Sequence, residues 1–285
     1  MVSRVKVIRQ KNSLSVQENY FMQLKMFQVD AFADKLFFGN PAAVVILEQE
    51  IDQQLMQSIA AENNLSETAF VNINQSPINI RWFTPVAEVR LCGHATLAAA
   101  RVLFENYPES TANDIAFQSK SGFLKAFQKA GRIYLDFPAD RRLESVDKNE
   151  AFERALGERP ICAFKGKDDY LVIYEAQSQI ERIQPKFTQI ANFDSRGVVI
   201  SAAGGDFDFV SRCFFPKMGV NEDPVTGSAH TMLTPYWTTL TNKTELTARQ
   251  LSARGGTLHC YCKDDRVFIG GASRIFFDGT IYCEN

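Results

Sequence analysis

The sequence lacks any run of about eighteen unbroken apolar residues, the length that a membrane-spanning helix needs. Its N-terminus also lacks the apolar core of a secretory signal peptide. We therefore expect a soluble, cytoplasmic protein that has no membrane partner.

Neither sign of charge is in large excess. The chain has 31 Lys and Arg against 33 Asp and Glu, which gives a formal net charge of −2. The basic residues are spread along the whole length, whereas a nucleic-acid surface needs them clustered to meet the phosphate backbone. We therefore expect no nucleic-acid partner.

Cysteine is sparse and scattered, without the spacing of a disulfide framework, which suits a reducing compartment. Cys260 and Cys262 would share one face of a predicted strand, but no second cysteine pair completes a metal site. His230 and His259 also lack the spacing of metal ligands. We expect no metal ion.

The length of 285 residues, 45% of them hydrophobic, can bury one large core or two modest ones. Residues 1–22 are mostly polar and predict a tail, because a strand pattern starts only at Leu24. A charged stretch at 138–150 marks a boundary between domains at 23–140 and 141–285. Strand and helix patterns recur in the same order in both halves, so we predict structural duplicates.

Two glycines stand directly before predicted helices. Gly93 precedes a small, apolar pattern at residues 96–105, which predicts a helix buried all round. Gly227 precedes a helix pattern that opens at Ser228 and contains Pro235, which should kink or shorten it. Helix starts carry free N–H groups and a partial positive charge, so two facing starts would hold a carboxylate. The alternative is that each glycine only permits a tight turn into a core helix.

Three titratable side chains lie near these glycines and could move a proton: His94, Asp223 and Glu67. Glu67 occurs in "NNLSETAFV", where a polar stretch turns into an apolar strand. The local pattern leaves a second interpretation open, in which Ser66 is a turn residue and Glu67 a solvated strand end.

Five ordered blocks resemble the phenazine biosynthesis PhzF-like family: "VDAFADKLFFGNPAAVV", "NNLSETAFV", "IRWFTPVAEVRLCGHATLAAA", "SRCFFPKMGVNEDPVTGSAH" and "LSARGGTL". The resemblance implies the α+β diaminopimelate epimerase-like fold. In that fold each of two similar domains is a curved, mostly antiparallel sheet rolled around a central helix, and the active site lies in the cleft between them. The last strand is then available to pair with the first domain.

The resemblance also implies a cofactor-independent isomerase that forms a homodimer and shifts a proton on a small, carboxylate-bearing ring. In characterised members the substrate is trans-2,3-dihydro-3-hydroxyanthranilate. The glutamate that serves as acid and base matches Glu67, and the catalytic histidine and aspartate match His94 and Asp223. Residues that match substrate-binding positions are Asn40, Ser66, Gly93, Gly227 and Ser228.

Epimerases that resemble this fold use two cysteines, one before each motif glycine. Here Cys92 stands before the first glycine, but Thr226 stands before the second. A racemisation through two thiols is therefore not expected, and Cys92 is predicted to be a small buried residue.

Two alternatives remain open at this point. One is an epimerase of an amino or hydroxy acid that uses Glu67 and Asp223 as its two bases. The other is a non-catalytic protein that binds small molecules or acts as an adaptor and has kept the cleft.

Overall fold

The computed structural model describes residues 21–110 and 114–284. Residues 1–20 of the expected tail therefore lie outside the described residues. The last two residues of that tail, Phe21 and Met22, belong to the first strand, because they pair with Glu284 and Cys283 at the far end of the chain. No helix in the described ranges is long and apolar enough to cross a membrane.

The described residues of the first half form eight strands and two α-helices. They are β1 (Phe21–Ala31), β2 (Asn40–Leu47), α1 (Gln53–Asn63), β3 (Glu67–Asn72), β4 (Ile78–Phe83), β5 (Glu88–Val89), α2 (Gly93–Asn106), β6 (Asp114–Ser119), β7 (Gly122–Lys129) and β8 (Arg132–Pro138). A short 3₁₀ helix, Pro108–Ser110, follows α2.

The second half follows the same plan with more helices. Its elements are β9 (Glu144–Ser145), α3 (Asn149–Leu156), β10 (Cys162–Lys165), β11 (Asp169–Ile173), α4 (Gln177–Arg182), α5 (Phe187–Ile190), β12 (Gly197–Ala203), β13 (Phe209–Phe215), β14 (Val220–Asp223), α6 (His230–Thr241), β15 (Glu245–Gln250), β16 (Gly256–Lys263), β17 (Arg266–Gly271) and β18 (Ser273–Glu284). A 3₁₀ turn, Pro216–Met218, separates β13 from β14.

Strand pairing shows that the halves are duplicates. In the first half β2 and β3 are parallel, as are β4 and β6. In the second half β11 and β12 are parallel, as are β13 and β15. The remaining pairs are antiparallel, and β5 and β14 add a short strand at equivalent places. Glu67, at the start of β3, therefore corresponds to Gly197, at the start of β12.

Two pairings join the halves into one continuous sheet. β8 pairs antiparallel with β17, and β18 pairs antiparallel with β1 along its whole length. The last strand thus lies in the sheet of the first half. The division of the chain at residue 140 stays a prediction.

α2 is buried along most of its length, as its sequence predicts. Ala95, Ala98, Ala99 and Ala100 are fully buried, and their small side chains let the helix lie close to the surrounding strands. The observed helix, Gly93–Asn106, extends the predicted segment 96–105 by one turn at its start. Its first residue is therefore Gly93 itself.

α6 begins two residues later than predicted. The N–H groups of His230, Thr231 and Met232 bond to carbonyls only three residues back, so residues 227–229 form a tighter turn before the α-helix. Pro235 lies inside α6 without ending it, and the helix has 12 residues against 14 in α2. The expected shortening is therefore small.

The core has three parts. The largest contains residues from both central helices and from the inner faces of the strands, so it runs from one half into the other. Two smaller clusters lie on the outer faces, where α1 covers the first half and α3, α4 and α5 cover the second. Because packed side chains cover both faces of the sheet, the strand ends near the two central helices are held in fixed positions.

Candidate active site

The starts of the two central helices touch at Gly93 and Gly227. A Cβ on Gly93 would lie 3.5 Å from the Cα of Gly227, and a Cβ on Gly227 would lie 3.6 Å from the Cα of Gly93. The residues before the two helices, Cys92 and Ala229, make no side-chain capping bond. The first N–H groups of α2 and those of the turn at residues 227–229, which leads into α6, therefore meet at one place, and their partial positive charges favour an anion there.

Glu67 and His94 form the most buried acid and base pair beside these helix starts. Oε2 of Glu67 lies 3.0 Å from Nε2 of His94, and the two side chains are 18% and 6% exposed. That oxygen has no partner with hydrogen-bond geometry among the described residues. Burial opposes a positive charge on His94, but the negative charge of Glu67 beside it raises its pKa well above the ordinary value.

Asn40 links His94 to the second carboxylate of the site. Its side-chain nitrogen donates to Oδ1 of Asp223 over 2.8 Å and to the carbonyl of Val225 over 3.0 Å. The same nitrogen lies 3.2 Å from Nδ1 of His94. Asn40 is fully buried, and its Oδ1 has no partner among the described residues. The contacts hold His94 and Asp223 in a fixed relative position.

Asp223 has an environment that favours its protonated form. Burial raises the pKa of Asp223 to about 6, and the charge of Glu67 adds to this, against the opposing effects of His94, Thr226 and Asn40. Oδ2 accepts a hydrogen bond from the hydroxyl of Thr226. A carboxyl group in this state can hold or release a proton close to neutral pH.

Gln250 supports the loop that carries Asp223. Its side chain donates to the carbonyl of Asp223 over 2.7 Å and accepts from the N–H of Thr226 over 2.9 Å. Neither Gln250 nor Thr226 was predicted as a site residue. A glutamine at the end of a strand gives no local signal, since β15 meets this loop only in the folded chain.

Ser228, in the turn before α6, contacts a pair of charged residues that the sequence did not indicate. Nη2 of Arg196 donates to Oγ of Ser228 over 3.3 Å. Nε of the same guanidinium donates to Oδ1 of Asp169 over 3.0 Å, and Nη2 also donates to Oδ2. Arg196 and Asp169 precede or begin neighbouring parallel strands, so only the pairing of β11 with β12 brings them together.

The structure places the predicted residues in two groups. Contacts through Asn40 and His94 link four of them, Asn40, Glu67, His94 and Asp223, while Ser228 contacts Arg196. Ser66 directly precedes Glu67 in the bend before β3 and is half-buried.

Cys92 is buried, as predicted, and burial raises the pKa of its thiol to about 11. Its Sγ lies 3.6 Å from Nδ1 of His94. Cys92, His94 and Glu67 offer ligand atoms within 4.8 Å of one another, so they could together contact a metal ion. A protonated thiol is a poor ligand, however, and metal binding there would have to displace its proton.

Comparison with known proteins identifies the family of the chain. Residues 29–279 match the family model described as phenazine biosynthesis-like protein. The chain belongs to this family. It is 48% identical over 260 residues to an uncharacterized isomerase of Pseudomonas aeruginosa, which covers 91% of this chain and 99% of that protein.

Solved structures agree on the fold. A phenazine biosynthesis PhzF family protein of Enterococcus faecalis superimposes with a TM-score of 0.88 at 44% identity, covering 92% of this chain and 100% of that one. A probable proline racemase of Agrobacterium radiobacter superimposes with a TM-score of 0.62 at 8% identity, over 90% of this chain and 92% of that one. This phenazine biosynthesis-like protein therefore has the expected diaminopimelate epimerase-like fold.

Proposed function

We propose that this protein is a cofactor-independent isomerase that moves a proton on a small carboxylate-bearing metabolite, cyclic or acyclic, with Glu67 as general acid and base. The observation that carries the proposal is the buried Oε2 of Glu67, which lies 3.0 Å from His94 and has no hydrogen-bond partner among the described residues. The Pseudomonas aeruginosa relative is named an isomerase, which supports the class of enzyme.

Glu67 would act in two steps. As a carboxylate it takes a proton from a carbon that an adjacent unsaturated group makes acidic, and the electron pair delocalises into that group. As a carboxylic acid it then returns the proton to a different carbon of the same molecule. A positively charged His94, which its raised pKa favours, stabilises negative charge beside Glu67 during the transfer.

The polar atoms of the site suggest which groups the substrate carries. The N–H groups at the start of α2 and in the turn at residues 227–229 favour a carboxylate, and Ser228 belongs to that turn. Buried Oδ1 of Asn40 has no donor among the described residues, and Oε2 of Glu67 has none with hydrogen-bond geometry, although buried polar atoms usually have a partner. A substrate with an amino or hydroxyl group near its carboxylate would supply donors to them.

The two halves differ at the position that matters most for proton transfer. Gly197 corresponds to Glu67, and the place of its missing side chain is filled, because a Cβ there would lie 2.1 Å from Cδ1 of Phe215. The second half therefore has no acid or base equivalent to Glu67 at its strand start. This asymmetry supports a mechanism in which one residue both removes and returns the proton.

A second candidate function follows from Asp223. Its pKa of about 6 suits a second base, and Asn40 holds it close to His94 and Glu67. An epimerase would then use Glu67 on one face of a stereocentre and Asp223 on the other. Such an enzyme would exchange a single C–H hydrogen without moving a double bond.

We would test these functions by incubating trans-2,3-dihydro-3-hydroxyanthranilate and a panel of small amino and hydroxy acids with the protein in D₂O. Proton NMR and mass spectrometry then report deuterium uptake and double-bond position. Glu67→Gln keeps the shape of the side chain but removes its basicity, and Glu62→Gln on the exposed face of α1 is the matched control.

We expect deuterium in a rearranged product with the unaltered protein and with Glu62→Gln, and none with Glu67→Gln. Turnover that survives in Glu67→Gln would refute the mechanism. Uptake at one stereocentre without rearrangement, abolished by Asp223→Asn, would favour the epimerase. If no compound in the panel exchanges, the isomerase proposal fails for these substrates and a binding or adaptor protein becomes the better hypothesis.

We also propose that the protein is a cytoplasmic homodimer, as the family resemblance implies. Light scattering on the purified protein tests the dimer, and a molar mass of one chain would refute it.

A further inference from the structure

A cavity of about 750 Å³ opens next to Ser228. Both halves of the chain line it, since Phe137 and Pro138 come from β8 and Arg196, Ser228 and Met232 come from the second half. Glu67, His94 and Asp223 are not among its lining residues. The cavity is therefore lined by other residues than the acid and base pair, and Ser228 is the predicted site residue that it reaches.

Arg196 is held at the edge of this cavity by three contacts. Its guanidinium bonds to both oxygens of Asp169, a residue only 5% exposed, and it lies over the ring of Phe215 with 5.1 Å between its central carbon and the ring centroid. Its backbone N–H donates to the carbonyl of Asp168. A planar guanidinium fixed in this way keeps one orientation.

The contact between Arg196 and Ser228 sets the hydrogen-bond role of the serine. A guanidinium has donors and no acceptor, so Oγ of Ser228 must be the acceptor in this bond. No described residue accepts a hydrogen bond from the Ser228 hydroxyl. Its hydrogen is therefore available to a ligand, and the positive charge behind the oxygen strengthens it as a donor.

We propose that Arg196 is a positioning residue, which holds Ser228 as a hydrogen-bond donor so that the site binds a carboxylate group between Ser228 and the start of α6. The recognised class of ligand is a small carboxylate, and a neutral molecule of the same shape would bind poorly. The inference extends the proposed function, but it concerns anion binding and not proton transfer.

The net charge of the residues that line the cavity does not explain a preference for carboxylates. Five basic and four acidic side chains line the cavity: Arg141, Arg142, Lys165, Lys167 and Arg196, and Asp140, Glu144, Asp168 and Asp169. With the two signs nearly balanced, selectivity has to come from the placement of individual donors. Arg196 is the basic residue that bonds directly to Ser228.

The test is a titration with formate, followed through the backbone amide signals of Gly93, Gly227 and Ser228 in ¹H–¹⁵N NMR spectra. Formamide serves as the neutral probe of similar shape. Variants are Arg196→Gln, Arg196→Lys and Ser228→Ala, and the double variant Asp169→Asn/Arg196→Gln avoids leaving a buried unpaired carboxylate if the single variant does not fold. Circular dichroism melts report folding of each protein.

We expect formate, and not formamide, to shift the amide signals of Gly227 and Ser228 saturably. Loss of a charge-assisted hydrogen bond should weaken formate binding about tenfold or more in the Arg196→Gln and double variants and in Ser228→Ala. Arg196→Lys should restore part of the affinity, since it keeps the charge without the fork geometry. With the natural substrate, these variants should raise KM more than they lower kcat.

Equal formate affinity in folded Arg196→Gln would overturn the proposal, as would equal binding of formamide or no saturable shift at all. Glu67→Gln separates this proposal from the proposed function. It should bind formate normally while losing deuterium exchange, so each of the two ideas can fail while the other survives.

Discussion

The side-chain nitrogen of Asn40 donates a 2.8 Å hydrogen bond to Oδ1 of Asp223, a residue 183 positions away in the chain. Asn40 begins β2 in the first half, and Asp223 ends β14 in the second. The bond therefore joins the halves at the site itself. It also means that the relative position of the two halves decides how Asp223 is oriented.

Replacing Asn40 with Ala should destabilise the protein strongly. The change leaves Oδ1 of Asp223 and the carbonyl of Val225 without their donor in a buried place, and each such loss typically costs about 1–3 kcal/mol. We expect a fall of about 3 kcal/mol in the free energy of unfolding, measured by urea denaturation. Asn74→Ala, at an exposed position, is the control, and an equal effect of both variants would contradict this role of Asn40.

Asp223→Asn should change how stability depends on pH. Asp223 has a pKa of about 6 in the folded protein against an ordinary 3.8, so the folded state binds this proton more tightly than the unfolded chain does. The stability contributed by the protonated carboxyl is therefore lost as the pH rises from about 4 through about 6. The amide variant has no proton to lose and keeps an oxygen that accepts from Asn40.

We expect this variant to gain about 3 kcal/mol relative to the unaltered protein between about pH 4 and about pH 7.5, because the pKa differs by about two units. Thermal melts across this pH range measure the difference. Asp206→Asn, at an exposed position, should show no such trend. A stability difference that stays constant with pH would show that Asp223 is not protonated more readily in the folded state.

Alanine at Gly197 should destabilise the protein, whereas alanine at Gly93 should leave its stability intact and impair its function. At Gly197 the new Cβ would lie 2.1 Å from the ring of Phe215 and 2.5 Å from the carbonyl of Phe214, so we expect a loss of about 3 kcal/mol or more. At Gly93 the nearest atom is 3.5 Å away, which is ordinary contact, and alanine favours the helix. Thermal melts should show the first variant destabilised and the second not.

Gly93→Ala should nevertheless impair the site. Its Cβ would also lie 3.8 Å from the backbone nitrogen of Ser228, between the two helix starts, where the substrate carboxylate is proposed to bind. We expect a raised KM or lost formate binding in a protein that folds normally. Normal binding in this variant would place the anion elsewhere.

Cys92 should be unreactive in the folded protein. Burial raises the pKa of its thiol to about 11, so little thiolate exists near neutral pH. Iodoacetamide labelling followed by peptide mass spectrometry should modify Cys92 only after unfolding in urea, and Cys92→Ala should keep proton-transfer activity. Rapid labelling of the folded protein, or loss of activity in the variant, would indicate that the thiol takes part in the chemistry.

Local sequence patterns were sufficient for the features that repeat within a short segment. The apolar pattern after Gly93 predicts a buried helix, and the structure confirms it for residues 93–100, 102 and 103 of α2. The start of α6 could not be predicted, since a tight turn at residues 227–229 and an α-helix have similar sequences. The early start of β1 at Phe21 depends on pairing with β18, which no local pattern shows.

The sequence by itself determined the family, the duplicated plan and the candidate residues Asn40, Glu67, His94 and Asp223, because motifs and periodicity are properties of neighbouring residues. Only the tertiary structure decided that contacts link these four, that Gly197 leaves the second half without an acid equivalent to Glu67, and that Arg196 bonds to Ser228. The physical reason is that hydrogen bonds and burial act across space. Residues 183 positions apart become hydrogen-bond partners only when strand pairing and the shared core bring the ends of their strands together.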